Sequence, residues 1–273
     1  MTAASLALAA AVVLAVSSAF TKRLVGEFAH RQLIGPLLLL NGLLVVPFAA
    51  LAHWRLTWPI LLLHGLSAAT LVVGSFCVFE LFSEGSTAAV AIAQAMAPMP
   101  ALAFSLILLS SSVTAMQAFG AVTVTVGVLA ALGPAFGAFS RRRALALVAL
   151  AAATSGLLVV LTKLLADRGA GIGEIYVART TLAGLAACLL VRPRDIPVRS
   201  LPHLTLRSAL QTGYYVLLIA AVERGSPTTV QTLAATTPLL LLAAGVVMRR
   251  QRPSGRIAFA AIAVVVGVAL VVS

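Results

Sequence analysis

Residues 85–100 read GSTAAVAIAQAMAPMP, and residues 225–240 read GSPTTVQTLAATTPLL. Aligned without gaps over 85–131 and 225–271, the two stretches are identical at 14 of 47 positions. Self-similarity at a fixed separation is typical of an internal duplication. The matches that a shared preference for apolar residues does not explain are Gly85/Gly225, Ser86/Ser226, Pro98/Pro238, Phe119/Phe259 and Gly127/Gly267. Upstream, Thr21-Lys22 is echoed by Thr162-Lys163, and we interpret the whole chain as a duplication.

The composition places these repeated units in a membrane. Of 273 residues, 61% are hydrophobic and 10% are charged, whereas about a quarter of the residues of a soluble domain are charged. The charges are clustered, and the apolar windows between them are close to the ~20 residues that span a bilayer as a helix. In lipid each backbone amide must bond within its own segment, which favours helices. The sequence therefore predicts an all-α integral membrane protein.

Ten transmembrane helices are predicted, and they are numbered here as spans 1 to 10. Their approximate bounds are 3–20, 33–52, 60–81, 86–109, 115–136, 144–165, 173–191, 203–222, 227–248 and 256–272. Each copy of the duplication then contains five spans. Because five is odd, the second copy must enter the membrane in the opposite sense, and two inverted five-helix repeats are a common plan for secondary transporters.

The basic residues are unevenly distributed between the loops. Odd-numbered loops hold Lys22, Arg23, Arg31, Arg141, Arg142, Arg143, Arg192, Arg194, Arg199, Arg249, Arg250, Arg252 and Arg256, whereas even-numbered loops hold Arg55, Lys163, Arg168 and Arg224. Cytoplasmic loops carry the excess of Lys and Arg. We therefore expect the odd-numbered loops in the cytoplasm and both termini outside. This placement accounts for the net charge of +12 without a nucleic-acid partner.

The repeat pattern resembles the drug/metabolite transporter superfamily, in its EamA-like branch. The resemblance is carried by a Gly-Ser turn after the third span of each repeat, a proline in the fourth and a late glycine in the fifth. These residues are Gly85-Ser86 and Gly225-Ser226, Pro98 and Pro238, and Gly127 and Gly267. Arg179 also looks like an arginine often found early in the second span of the second repeat. The chain departs from the family between spans 4 and 5, where residues 110–112 are uncharged serines.

The resemblance implies two repeats, residues 1–138 and 139–273, in a multi-pass carrier of the bacterial plasma membrane. It implies export of small metabolites such as amino acids by alternating access, with protons as the candidate coupling ion. The alternative is a proton-coupled efflux antiporter for cationic drugs. Span 1 contains Ser17 and Ser18 but lacks the carboxylate that the related small multidrug pumps place there. The sequence therefore favours the metabolite carrier.

Polar groups at bilayer depth indicate the protein interior or an aqueous pathway. In span 8, Gln211 and Tyr215 are four residues apart and share a face, and Tyr214 lies beside them. A phenol offers both an aromatic wall and a hydroxyl. Gln94 in span 4 and Gln231 in span 9 are amides in otherwise apolar segments. We predict that these five residues bind substrate, with helix–helix packing as the alternative.

Charges and prolines within the spans supply the other candidates. Arg179 is a charge that lies clearly inside a span, where it would either bind a substrate carboxylate or extend to the interface. Glu80, near the cytoplasmic end of span 3, is a candidate coupling carboxylate or a hydrated interfacial acid. Pro98 and Pro238 are predicted kinks, because a proline ring removes a backbone hydrogen bond, and they are candidates for a gating role.

The sequence offers little that favours catalysis. It contains no Ser-His-Asp arrangement, phosphate-binding loop or paired carboxylates, so we predict no enzyme activity, catalytic residue or cofactor. His64 is expected at an interface, and no metal site is predicted because ligand spacing is absent. A membrane enzyme or accessory protein acting on lipid-linked intermediates is the rival from another class, and it would need an acid or histidine cluster at one interface.

Overall fold

The computed structural model describes residues 1–27, 30–50, 54–84, 87–109, 114–132, 142–193, 200–240 and 255–272. Within these ranges the chain forms helices and contains no strand. The helices are α1 Ala3–Glu27, α2 His30–Ala49, α3 Trp58–Ser83, α4 Thr87–Met96, α5 Pro98–Leu108, α6 Ala115–Leu132, α7 Arg142–Asp167, α8 Ile172–Leu190, α9 Leu201–Arg224, α10 Pro227–Ala234 and α11 Gly255–Val272. Residues 237–240 begin a further helical segment.

These helices lie where the apolar windows predicted them. Five segments of the described chain are long and apolar enough to cross a membrane: His30–Ala49, Trp58–Ser83, Ala88–Leu108, Arg142–Asp167 and Ile172–Leu190. Shorter apolar helices lie at Ala3–Ser18, Ala115–Ala130 and Phe259–Val272. An all-helical membrane protein is confirmed, and the count of ten spans stays a prediction. Gly85-Ser86, residues 110–112 and half of the arginines of the odd-numbered loops lie outside the described residues.

The helix boundaries follow from local sequence. Proline occupies the first turn of α3, α9 and α10, where its missing N–H is not needed. Ser226 caps α10 by accepting a hydrogen bond from the Thr229 N–H at 3.1 Å. At the end of α7, Gly169 adopts a φ of +83°, a conformation that glycine reaches without steric cost.

The fourth span of each repeat is interrupted before its proline. In the first repeat, α4 ends at Met96 and α5 begins at Pro98. In the second, α10 ends at Ala234, and the helical segment 237–240 follows a two-residue turn. The helix is thus irregular just before Pro98 and just before Pro238, and a gating role for these prolines stays a prediction. Discontinuous helices are a recurring feature of secondary transporters.

Two pairs of helices occupy equivalent positions in the two repeats and pack against each other. In the first pair, α2 and α8 run antiparallel, because Gly35 lies against Cys188 and Gly42 against Thr180. The second pair, α6 and α11, has the same arrangement. A Cβ at Gly120 would lie 2.5 Å from Val271 Cγ2, and a Cβ at Gly127 would lie 2.9 Å from the Cβ of Ala263. Small residues allow this close approach of the backbones.

Other contacts between the halves also come in equivalent pairs. The first helix of the first repeat, α1, packs on the third helix of the second repeat, α9. Reciprocally, α3 packs on α7, the first helix of the second repeat. The broken fourth helices follow the same rule, since α4 contacts α7 and α10 contacts α1. The two halves are therefore interlocked, and most packing surfaces have members from both.

Candidate functional site

A cavity of about 140 Å³ lies between the two halves. It is lined by α1, α3 and α4 from the first half and by α7, α9 and α10 from the second. Thr154 and Ser155 contribute from the middle of α7, and Tyr214 and Tyr215 from the middle of α9. The cavity, called here the central cavity, extends from the middle of these helices to Phe82 near the end of α3, and it has room for several water molecules or a small metabolite.

Five of the six predicted substrate-binding residues line the central cavity. These are Gln94, Gln211, Tyr214, Tyr215 and Gln231. These residues belong to spans 4, 8 and 9, and the structure adds lining residues from α1, α3 and α7. Whether these side chains contact a substrate stays a prediction.

Two of the glutamines are held by serines of neighbouring helices. Gln211 Oε1 accepts a hydrogen bond from Ser17 Oγ at 2.9 Å, which joins α9 to α1. Gln231 Nε2 donates to Ser155 Oγ at 3.1 Å, which joins α10 to α7. The first bond joins the two halves, and the second joins two helices of the second half. Each bond fixes one end of a side-chain amide. The other end of Gln231, the buried Oε1, has no hydrogen-bond partner among the described residues.

Gln94 and Gln231 also mark the helix interruptions. The Gln94 carbonyl accepts from the Ala97 N–H at 3.3 Å, immediately before α5 begins. The Gln231 carbonyl accepts from the Ala235 N–H at 2.9 Å, at the end of α10. Both amides therefore lie in the last helical turn before a break, although they are not at equivalent positions of the repeat.

Three tyrosines form an aromatic wall on α8 and α9. The ring centroids of Tyr214 and Tyr215 are 4.8 Å apart, and those of Tyr176 and Tyr215 are 5.9 Å apart. The hydroxyl oxygen of Tyr176 lies 3.1 Å from Thr212 Oγ1. Tilted pairs at these distances are favourable, and the Tyr176–Tyr215 pair connects α8 to the cavity-lining face of α9.

Arg207 is the cavity residue that the sequence analysis missed. It lies on α9, it is 7% exposed, and it is the charged residue among those that line the central cavity in the described chain. Its Nε donates to Thr21 Oγ1 at 3.1 Å, and its Cζ lies 5.8 Å from the centre of the Phe79 ring. The spacing Arg207, Gln211, Tyr215 repeats every four residues, a one-face signal that could have revealed it.

A smaller pocket of about 30 Å³ adjoins the central cavity. It shares Arg207, Gln211 and Tyr215 with that cavity and adds Asn41 from α2. Asn41 is fully buried, and neither its Nδ2 nor its Oδ1 has a hydrogen-bond partner among the described residues. An orphaned buried amide is costly, so this side pocket is a place where a polar group of a ligand would be stabilised.

Arg179 lies apart from the central cavity. It is 1% exposed, and its Nη2 donates to Thr162 Oγ1 at 2.6 Å. It does not line either pocket. It also does not extend to an interface, because burial of this degree excludes it. Its contact with a substrate stays a prediction, and its observed contact is between α8 and α7.

Glu80 also lies outside both pockets, in a cluster of basic groups. Arg143 Nη2 donates to its Oε2 at 2.9 Å, Arg31 Nε donates to its Oε1, and His30 Nε2 lies 3.1 Å from Oε1. The cluster therefore brings together the ends of α2, α3 and α7 next to loops 1, 3 and 5. These odd-numbered loops share one end of the molecule, as their predicted common side requires.

At the opposite end a second cluster joins loops 2 and 6. Glu174 is fully buried, its Oε1 lies 3.3 Å from His64 Nε2, and its Oε2 accepts from the Arg55 N–H at 3.3 Å. His64, which was expected at an interface, lies at this end of the molecule but inside the protein, since it is 2% exposed. The partner that buries it, Glu174, is 110 residues away in sequence, so no local pattern could indicate it.

Pro98 and Pro238 are buried but do not line the central cavity. The break before Pro98 is closely packed, since a Cβ on Gly156 would lie 2.5 Å from the Ala101 nitrogen and 3.0 Å from the Ala97 carbonyl oxygen. α7 thus contacts the interrupted backbone directly. Among the described residues, no group of three or more His, Cys, Asp or Glu side chains could hold a metal ion.

Comparisons with known proteins agree with this architecture. No curated protein matches the chain at significant similarity. One solved crystal structure superposes with a TM-score of 0.72 at 20% identity, over 98% of this chain and 94% of that chain, which shows a common fold. The model of the EamA-like transporter family matches twice, at residues 1–133 and 142–273. Each half of this duplicated membrane protein thus matches the same unit, and the chain belongs to the EamA-like transporter family of the drug/metabolite transporter superfamily.

Proposed function

We propose that this transporter is a secondary carrier that exports a small metabolite, such as an amino acid, by alternating access. The observation that carries the proposal is the central cavity, which has three lining helices from each half. A site between repeats near the bilayer midplane is where such carriers bind substrate. The polar lining of Gln94, Gln211, Gln231 and two tyrosines suits a small, partly apolar solute.

Inversion of the two halves is part of the proposal. The antiparallel packing of α2 with α8 and of α6 with α11 supports it, because equivalent helices related by a two-fold axis in the membrane plane must run in opposite directions. Two similar units in opposite orientation can exchange roles. They would then give inward-open and outward-open states of similar free energy.

The helix breaks and the Glu80 cluster would control the exchange. Breaks before Pro98 and Pro238 let one part of each fourth span tilt without stretching a continuous ladder of backbone hydrogen bonds. The Glu80 cluster joins α2 and α3 of the first half to α7 of the second. It would therefore hold one end of the two halves together and release it in the opposite state. We place that end in the cytoplasm of a bacterial cell, with protons as the candidate coupling ion.

The alternative, proton-coupled efflux of cationic drugs, receives less support from the lining. A carboxylate in the pathway would favour a cation, and the described residues that line the central cavity include none, whereas they include Arg207. Glu80, the acid closest to this role in the sequence, is occupied by arginines outside the cavity.

Export can be tested by comparing metabolites in the medium and cytosol of cells with and without the protein. Solutes enriched in the medium are then tested for counterflow in proteoliposomes. We expect Gln211→Leu and Pro98→Ala to reduce counterflow at least severalfold, since the first removes a cavity amide and the second restores a continuous helix. Gln117→Ala, at the start of α6 outside the cavity, is the matched control. If counterflow by Gln211→Leu equals that by the wild type and by Gln117→Ala, the proposed site is refuted.

A further inference from the structure

We propose that the transported substrate carries a small oxyanion group, a carboxylate or a group of like charge, which binds the terminal nitrogens of Arg207. The inference rests on the proposed function and assigns a substrate class to its site. An ionised side chain at bilayer depth is costly in free energy, so its presence indicates a functional position. Arg207 is buried in the cavity wall, in the second turn of α9.

The surroundings of Arg207 leave its charge uncompensated. In the described chain it takes part in no ion pair, and its neighbours are the Thr21 hydroxyl and the Phe79 ring. A hydroxyl and an aromatic face stabilise a guanidinium but do not neutralise it. By contrast, the carboxylate of Glu80 has the guanidinium groups of Arg31 and Arg143 as partners. The positive charge at Arg207 is thus available to a ligand.

The contacts also fix the orientation of the guanidinium. Nε is occupied by Thr21, whereas Nη1 and Nη2 have no hydrogen-bond partner among the described residues. Two terminal nitrogens in one plane match the two oxygens of a carboxylate, and they match a phosphate equally well. A compact ammonium would not offer this geometry. Thr21 and Phe79 therefore position Arg207 for end-on recognition of an oxyanion.

The position of Arg207 places this recognition at the centre of the site. Arg207 lines both the central cavity and the side pocket, together with Gln211 and Tyr215. An oxyanion bound there would leave the apolar part of a solute against the tyrosines and the aliphatic residues of α3. Cationic solutes would be repelled from the same point, which separates this proposal from the drug-efflux alternative.

The electrostatic part is tested by thiol labelling of the purified full-length protein in non-ionic detergent. Ser75, which lines both pockets, is changed to Cys after Cys77 and Cys188 are replaced by Ala. Labelling rates are compared for an anionic methanethiosulfonate bearing a sulfonate and a cationic one bearing a quaternary ammonium. The ratio of the two rates cancels effects on thiol reactivity itself.

We expect Arg207→Gln to lower the anion-to-cation rate ratio by about tenfold, because one unit charge near the thiol acts on the two reagents in opposite directions. Arg207→Lys keeps the charge and should keep most of the ratio. Arg168→Gln, an exposed arginine at the end of α7, is the distant control and should leave the ratio unchanged. A ratio that is unaffected by Arg207→Gln in a variant with a normal unfolding transition would overturn the proposal.

Binding of an oxyanion is tested by whether a ligand slows labelling of the same thiol by a neutral methanethiosulfonate at matched ionic strength. The probes are 4-methylpentanoate, L-leucine, L-leucinamide and inorganic phosphate. We expect the carboxylates to slow labelling and leucinamide to have no effect, with protection lost in Arg207→Gln and weakened in Arg207→Lys. Protection by phosphate alone would identify a phosphate-bearing substrate. Equal protection by leucinamide, or protection by none of the oxyanions, would contradict the assignment.

The two hypotheses fail separately. If the labelling ratio and the protection depend on Arg207 but no metabolite is carried in proteoliposomes, the anion site stands and the carrier function falls. If counterflow is robust for neutral or cationic solutes and survives Arg207→Gln, transport stands and the anion site falls.

Discussion

Arg179 Nη2 donates a hydrogen bond to Thr162 Oγ1 at 2.6 Å, between α8 and α7 of the second half. Arg207 makes the comparable contact with Thr21, the residue that echoes Thr162 in the first half. Both repeated threonines therefore accept from a buried arginine. One arginine stabilises packing within a half, whereas the other stands at the cavity between the halves.

Thr162→Val should destabilise the protein without a direct effect on the cavity. The Arg179 guanidinium would keep its burial and lose its hydroxyl partner, at a cost of about 1–3 kcal/mol. Thermal unfolding of the purified protein measures the loss. Thr123→Val is the matched control, because the Thr123 hydroxyl bonds to its own helix at the exposed Phe119 carbonyl. Equal unfolding temperatures for the two variants would show that the Arg179–Thr162 bond contributes nothing.

Gly267→Ala should loosen the contact between α6 and α11. A Cβ at Gly267 would lie 2.7 Å from Val124 Cγ2 and 2.9 Å from the Gly120 carbonyl oxygen. Relief of that overlap must move backbone, which costs about 1–3 kcal/mol. At Gly65 a Cβ would meet no atom within 4 Å, so Gly65→Ala should be neutral or slightly stabilising in the same unfolding experiment. A neutral Gly267→Ala would contradict the close approach.

Asn41→Leu should raise stability and lower transport. Its amide is buried without a partner among the described residues, and replacing an unsatisfied polar group with an apolar one of similar shape recovers about 1–3 kcal/mol. If the side pocket binds a polar part of the substrate, counterflow should fall severalfold in the same variant. Measuring unfolding and counterflow together separates the two effects. Stabilisation with unchanged counterflow would exclude Asn41 from the site.

Glu80→Gln should affect turnover more than stability. Its partners Arg31 and Arg143 are more than half exposed, so water can solvate them and the stability loss should be about 1 kcal/mol or less. Counterflow should change severalfold, because the cluster joins both halves at one end. Asp167→Asn, which breaks the Lys163–Asp167 pair within one end of α7, is the control. Counterflow equal to wild type at every pH would argue against gating and coupling alike.

Orientation can be tested with two exposed loop residues. Glu84 follows α3 in loop 3, and Leu56 precedes α3 in loop 2. If odd-numbered loops are cytoplasmic, Leu56→Cys should react with an impermeant thiol reagent in intact cells and Glu84→Cys should react only after permeabilisation. The reverse pattern would invert the orientation and leave the fold unchanged.

The sequence predicted the helices well because each is a continuous apolar window bounded by charges or prolines. It also predicted five cavity residues, since Gln211 and Tyr215 share a face and Gln94 and Gln231 are amides in apolar helices. The misses have a common cause. Arg207 lies near the start of its span, Asn41 is a single amide, and His64 is buried by a residue far away in sequence. Their importance depends on which helices meet, and hydropathy does not encode those contacts.

Arg207 belongs to α9 of the second half, and its guanidinium contacts Thr21 and Phe79 of the first half. If one half moves against the other, the contacts of Arg207 with Thr21 and Phe79 must change, and the guanidinium must reorient. The affinity for a bound anion would then differ between the inward-open and outward-open states. If the proposed carrier function and anion site both hold, the movement that exposes the anion would also weaken its binding.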